Sequence, residues 1–357
     1  MNPGKRQSSC PPSHQASSAR RLISHRLRLA LLLLLVVGVA VANIVWGSIH
    51  IPLSSVVDIL MGNATDHPAW RYIVIENRIP QVVTAMLTGA CLATGGLLLQ
   101  TTFRNPLAGP SILGIDSGAN LAVAIVMLLL GGMVTIGSMS LSGHLLIVAA
   151  AMLGAWAVML LLLAFSRKVQ SHLMLLITGV MVSYLAGSLI SLLNFSATAE
   201  GVQAFMVWGM GNFNGVSLDR LPLFATLCLV GLLAALMLIK PLNALLLGDH
   251  YATNLGYRTR PLRTRLLLVT GLLTATSTAF CGPISFLGLA VPHLARLLSG
   301  THDHRLLLPS TMLMGSLLAL LCNLVSNLPS AGTIIPINVI TPIIGAPIVL
   351  WVILRQR

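Results

Sequence analysis

The chain has 357 residues, 56% of them hydrophobic and only 8% charged, with a formal net charge of +13. A water-soluble domain carries about a quarter charged residues, so that class is excluded. The basic residues sit at the ends of apolar runs and not in one patch, which argues against nucleic acid as the reason for the charge.

Residues 1–28 are rich in Ser, Pro and Arg and read as a disordered basic tail. Arg20 to Arg28, the apolar run that follows and Ala40-Val41-Ala42 have the outline of a signal peptide. The rest of the chain supplies its own insertion signals, so this segment is read as a retained first span. Apolar runs near 29–47, 80–102, 112–131, 144–165, 173–195, 221–240, 265–281, 284–299, 306–326 and 336–354 follow one another. Each approaches the length needed to cross ~30 Å of hydrocarbon as helix. Leu31 to Val37 does not alternate polar and apolar residues, so helices are expected and not barrel strands. The expectation is an all-α polytopic membrane fold of about ten transmembrane helices in one domain, residues 29–357. Ile51 to Leu60 reads equally as a short interfacial helix opened by Pro52 or as an ordinary loop turn.

With the N-terminus inside, only Arg71, Arg78 and Arg220 of the 21 Lys and Arg residues fall outside. This is the positive-inside distribution, and removing any one span would scramble it. Five cysteines, Cys10, Cys91, Cys228, Cys281 and Cys322, show neither a disulfide framework nor a CxxC metal site and read as small packing residues. The small-residue run from Gly89 to Gly96 reads as a close helix–helix contact. Met152, Met159, Met174 and Met181 read as core.

No GxxxxGK[ST] occurs, and none of the three lysines follows a Gly-rich turn, so this chain does not cradle nucleotide phosphates as a P-loop does. Asp116 is the one acid close to the hydrocarbon, which argues against an ion-coupled carrier. Its expected job is to cap a helix N-terminus. His293, His302 and His304 invite a metal reading, but no third fixed ligand is evident, and structural or solvated roles are expected; no metal site and no catalytic cluster is assigned. The Gly/Pro break from Arg104 to Gly114 after span two is echoed from Gly282 to Gly288 after span seven, the sequence pointer to an internal inverted repeat.

The most specific segments are collinear. They are Arg78-Ile79-Pro80, Gln100, R-N-P-L-A-G-P-S-I-L-G-I from Arg104, Gly248 to Gly256, and G-P-I-S-F-L-G-L-A-V-P-H-L-A-R from Gly282. His304-Arg305-Leu306-Leu307-Leu308-Pro309 and the stretch from Pro336 to Trp351, containing G-A-P-I-V-L-W, complete the set. At these residues the chain resembles the permease subunits of binding-protein-dependent ABC importers for iron–siderophore complexes, haem and cobalamin. Arg104, Asn105, Pro106, Leu107, Gly282, Pro283, Pro292, His293, Gly345 and Pro347 carry the family motifs.

The resemblance implies a ten-helix permease of the bacterial inner membrane with both termini cytoplasmic, paired as a homodimer around a central pathway. It implies two ATP-binding cassette subunits below, which bind the ATP and Mg, and a periplasmic or lipid-anchored substrate-binding protein above; this chain holds no cofactor and binds no nucleic acid. The implied cargo is a ferric siderophore or haem, with cobalamin as the alternative. A secondary transporter or channel is the competing class. Gly248, Asp249, His250, Ala252, Leu255 and Gly256 would form the loop that couples to the ATPase. Arg78, supported by Arg71 and Arg220, would receive the binding protein. Ser171 and His172 match the cytoplasmic gate. Gln81 and Asn327 stand where the family often has basic residues, Asn323 where it often has Asp, and Ile334-Ile335-Pro336-Ile337-Asn338 replaces the usual segment before span ten.

Overall fold

The computed structural model describes residues 12–355 except 48, 50, 64–66, 132, 137–138, 169–171 and 328–334. Helix α1 (Pro12–Val45) opens the chain, followed by the short α2 (Leu53–Leu60) and α3 (Pro68–Tyr72). A π-helical turn, Ile73–Arg78, leads into α4 (Ile79–Phe103). Helix α5 (Ile115–Ala124) continues as a π-helical turn, Ile125–Leu129, and a hairpin pairs β1 (Met133–Ile136) with β2 (Met139–Ser142). Then come α6 (His144–Lys168), α7 (His172–Ser196), α8 (Ala199–Gly209), α9 (Leu221–Met237), α10 (Ile239–Leu246) and α11 (Asp249–Asn254). The chain ends with α12 (Thr259–Cys281), α13 (Leu287–Ser299), α14 (His304–Ser326) and α15 (Ile337–Arg355).

Among the described residues, six helices are long and apolar enough to cross a membrane: within α1, α3–α4, α6, α7, α12 and α14. α9 and α10 make a seventh if taken as one span bent by 51°. Three shorter apolar helices, Ile115–Leu129, Leu287–Ser299 and Ile337–Trp351, occupy the remaining places where spans are expected. Length and composition alone therefore support six or seven crossings. The first helix corrects the sequence reading: the stretch assigned to a disordered tail is helical from Pro12. Its Ala, Arg and Leu content gives that stretch good helix propensity. The ambiguity at 51–60 resolves as a helix with Pro52 at its N-cap, its Val56 and Ile59 packed on Val74.

α4 is the axis of the molecule. Its residues from Gly89 to Phe103 are buried, and α14, α12, α13 and α9 surround it. Close approach is set by reciprocal glycines. A Cβ built on Gly89 would lie 2.2 Å from the Gly315 carbonyl oxygen, and one on Gly315 would lie 2.3 Å from that of Gly89. The same exchange joins Gly118 of α5 to Gly154 of α6. Between apolar helices in lipid, such small-residue faces gain dispersion contact that larger side chains would prevent. The methionines divide: Met159 is buried over Gly271, whereas Met174 and Met181 on α7 are 59% and 55% exposed, so the core role expected of them does not hold in the single chain.

Candidate functional site

The two Gly/Pro breaks meet. A Cβ on Gly288 would lie 2.9 Å from Pro110 Cδ, and one on Gly96 would lie 1.7 Å from the Gly288 carbonyl oxygen, so α4 packs directly on the point where the breaks meet. A cavity of about 210 Å³ remains there, lined by Pro110, Ser111, Ser285 and Phe286 among others. Phe286 holds φ 67° and Gly345 of α15 packs on its Cβ, which ties that motif glycine to the second break. Pro347 is exposed within α15. Gly282, at φ 75°, ends α12 against Trp208, and the Pro283 carbonyl accepts from Asn338. Asp116 does not cap a helix through its side chain: Gly114 is the N-cap of α5. The buried Asp116 carboxylate instead accepts hydrogen bonds from Ser111 and Thr278, both 2.7 Å, linking the first break to α12.

At the C-terminal end of α4, where the first break begins, the chain turns at Arg104 in the left-handed region, φ 47°. Asn105 Oδ1 accepts from the Leu107 amide at 2.9 Å, and the Pro106 carbonyl lies 2.9 Å from His293 Nε2. His293 is thus a buried structural side chain in α13, next to Pro292 within that helix. Arg104 donates to Asp249 Oδ1 at 3.0 Å, and Arg263 of α12 donates to Asp249 Oδ2. One carboxylate at the start of α11 therefore bridges the ends of two long helices.

Gly248, at φ 116°, opens α11, and Gly256, at φ 88°, follows it. Ala252 is buried with Leu98, Leu245, Leu262 and Leu266, which seats the short helix on α4, α10 and α12. His250, Tyr251 and Leu255 face out, and with Leu246 and Leu247 they leave an exposed apolar rim around α11. Isolated exposed apolar residues are ordinary, but a rim gathered around one short helix suits a protein contact.

Arg78 is engaged within the chain. It is only 5% exposed, and its guanidinium donates to the Ile44 carbonyl at 2.7 Å, the Val45 carbonyl at 2.9 Å and the Ile49 carbonyl. Gly47 clears space for it: a Cβ there would lie 2.9 Å from Arg78 Nη2. Arg78 closes the C-terminal end of α1, where carbonyls lack helical partners, and these three bonds engage its guanidinium within the chain. Arg71 is exposed and Arg220 half-buried, so both keep the access that docking requires. Ser171 and Ile334 lie outside the described residues; His172 is the first residue of α7.

The positions that depart from the family pattern converge in space, which sequence reading did not foresee. Gln81 Nε2 donates to Asn323 Oδ1 at 2.9 Å, and Asn323 Nδ2 donates to Asn43 Oδ1 at 3.0 Å. Asn327 Nδ2 reaches the Asn323 carbonyl at 2.9 Å. Asn338 is a second hub: its side chain accepts from the Ser285 amide at 3.0 Å and donates to the Gly209 and Pro283 carbonyls. Buried amides satisfy such irregular backbone without carrying charge into the membrane.

Under α8, a cavity of about 480 Å³ is lined by His144, Glu200, Gln203, Trp208 and Asn212. Among the described residues, no group of three His, Cys, Asp or Glu side chains is placed to hold a metal ion.

The model of the FecCD transport family matches residues 31–355. The hemin transport system permease protein HmuU of Yersinia pestis is 32% identical over 336 residues, covering 94% of this chain and 97% of that protein. The vitamin B12 import system permease protein BtuC of Klebsiella pneumoniae subsp. pneumoniae is 34% identical over 291 residues, covering 80% of this chain and 84% of that one. A solved structure of an inward-facing conformation of a metal-chelate type ABC transporter superposes with a TM-score of 0.80 at 31% identity, over 92% of this chain and 98% of that chain. With the breaks, the turn at Arg104 and the α11 bridge in place, the chain belongs to the FecCD transport family, as an ABC importer permease spanning the membrane several times.

Proposed function

We propose that the chain is the permease subunit of an inner-membrane importer that moves a ferric siderophore or haem inward, working as a homodimer with ten crossings per subunit. Two separate ATP-binding cassette subunits bind ATP and Mg²⁺ and supply the energy, and a substrate-binding protein delivers the chelate from the outer side. Both termini lie in the cytoplasm. The observation that carries this reading is the bridge at Asp249. A short helix with an exposed apolar rim is tied by one carboxylate to the ends of α4 and α12, so a push on α11 reaches the helices that hold both breaks. Closure of an ATPase groove around such a helix is a rigid-body displacement, and packed helices transmit it by shifting together. Cobalamin is the second reading of the cargo, supported by relatives of similar identity that carry the name of vitamin B12 permeases.

The test is reconstitution of the full chain with a candidate ATPase and binding protein from the same organism. Uptake of labelled ferric siderophore, haem and cobalamin is then measured with ATP and, separately, with an ion gradient. ATP-dependent uptake of an iron chelate that requires the binding protein is expected. Uptake of cobalamin alone would select the second reading, and gradient-driven uptake without an ATPase would place the chain among secondary transporters.

A further inference from the structure

At the end of the molecule that the charge bias assigns to the cytoplasm, a cavity of about 380 Å³ opens between α4, α10, α13 and α14. Its lining includes Arg104, Arg296, His302 and His304, with Gln100 and Thr101, and contains no carboxylate. His304 is engaged on both sides, with Nδ1 2.9 Å from Asn243 Oδ1 and Nε2 3.0 Å from Thr101 Oγ1. The nearby acids are also engaged. Asp249 pairs with Arg104 and Arg263, and Asp303 accepts from the Arg305 amide and the Asn243 side chain. Arg296 is different. The one hydrogen bond its side chain makes among the described residues is to Gln100 Oε1, a neutral oxygen at 2.7 Å, and it forms no ion pair there.

Topogenesis explains why basic residues lie on this side, but it requires only that they be there. It does not require a half-buried guanidinium to turn into a cavity beside a second guanidinium and an exposed imidazole. Two guanidinium groups with donors left over favour a ligand with several oxygen acceptors and negative charge, and phosphate fits that description better than a neutral polar group. Basic pockets between helices on the cytoplasmic side of a membrane protein are also where anionic lipid headgroups bind.

We propose that this cavity binds a phosphate group, that of an anionic lipid of the inner leaflet or free phosphate, with Arg296 as its principal donor and Arg104 and His302 at its rim. The site rests on the orientation proposed above, but its test requires no transport.

The full chain, purified and delipidated in a neutral detergent, is titrated with phosphatidylglycerol and with phosphatidylcholine and read by native mass spectrometry. Inorganic phosphate is tested as competitor and as sole ligand. Phosphatidylglycerol is expected to bind about tenfold more tightly than phosphatidylcholine, and Arg296→Gln to remove most of that preference, while His302→Ala lowers it about twofold. Binding of inorganic phosphate that is lost in Arg296→Gln, with no preference between the lipids, would assign the site to free phosphate. Arg296→Lys, which keeps the charge but not the planar fork, should fall between the wild type and Arg296→Gln. It serves with His302→Ala if Arg296→Gln does not fold. Equal binding of both lipids with no phosphate binding, or variants that all bind like the wild type, would overturn the proposal.

Discussion

Two arginines bracket α4, and they do opposite work. Arg78, just before the helix, is buried, and its donors close the end of α1 through three backbone carbonyls. Arg104, just after it, keeps 46% of its side chain exposed and pairs with the carboxylate of a short surface helix. In sequence the two look alike, each a basic residue at a span end next to a proline motif. Burial and partner chemistry separate them. A guanidinium enclosed by carbonyls is an anchor, because removing it leaves several acceptors without donors. A guanidinium sharing a half-buried carboxylate with a second helix is a link, whose removal leaves the fold nearly intact and breaks a mechanical connection.

The strongest way to break this contrast is at Arg78. Arg78→Met should destabilise the permease by about 3 kcal/mol, the scale of losing hydrogen bonds from a charged donor to buried carbonyls. Its melting temperature in detergent should fall well below that of Arg104→Met. If instead Arg78→Met melts like the wild type and loses only binding-protein docking, the anchor assignment is wrong and the docking expectation returns. Gly96→Ala should cost about 2 kcal/mol or more, because its methyl would enter the Gly288 carbonyl and neither backbone can retreat from the break. Retained stability and transport in that variant would show that the breaks separate freely.

Asp249→Asn sharpens the other half of the contrast. It should cost only about 1 kcal/mol, since the Arg104 pair is largely open to water and the amide keeps an oxygen that accepts from Arg263. Transport should nevertheless fall about tenfold or more while the attached ATPase continues to hydrolyse ATP. Equal loss of both activities would mean that α11 only holds the subunits together. Asn323→Ala, which cuts the amide network joining Gln81, Asn43 and Asn327, should cost about 1–2 kcal/mol, read as a lower melting temperature.

The smallest effect is at Asp303, which caps α14 through the Arg305 amide. Partial burial works against its charge, but the Arg305 amide, the Asn243 side chain and the Arg305 charge outweigh that and hold its pKa below the ordinary carboxylate value. Its contribution is therefore complete above the unfolded-state pKa of about 4 and is lost as pH falls through the lower folded value. Asp303→Ala should cost about 1 kcal/mol at pH 7 and less at pH 3, measured by thermal melts at the two pH values.

Much of the architecture was legible because lipid imposes a strong signal on sequence. The runs expected at 80–102, 173–195 and 306–326 became α4, α7 and α14 with ends shifted by one or two residues. The paired breaks were visible as Gly/Pro clusters, and the structure brings them into contact across Gly96. What the sequence hid was mostly partner choice. Nothing local distinguishes the anchor at Arg78 from the link at Arg104. Asp116 sits in a capping context, yet its acceptors face Ser111 nearby and Thr278 far along the chain. The amide network joins α1, α4 and α14 through residues as far apart as Asn43 and Asn323, a pairing that no periodicity encodes. The hairpin of β1 and β2 was missed as well, because two strands of four residues carry too short an alternation to stand out beside long apolar runs.

In this mechanism α11 transmits ATP hydrolysis to the helices. The direct measurement is ATP hydrolysis and chelate uptake in the same proteoliposomes, for the reconstituted complex carrying wild-type chain or Asp249→Asn. The wild type should show uptake in proportion to hydrolysis, and the variant should hydrolyse ATP at a similar rate with uptake at least tenfold lower. Unchanged uptake per ATP in the variant would contradict the account.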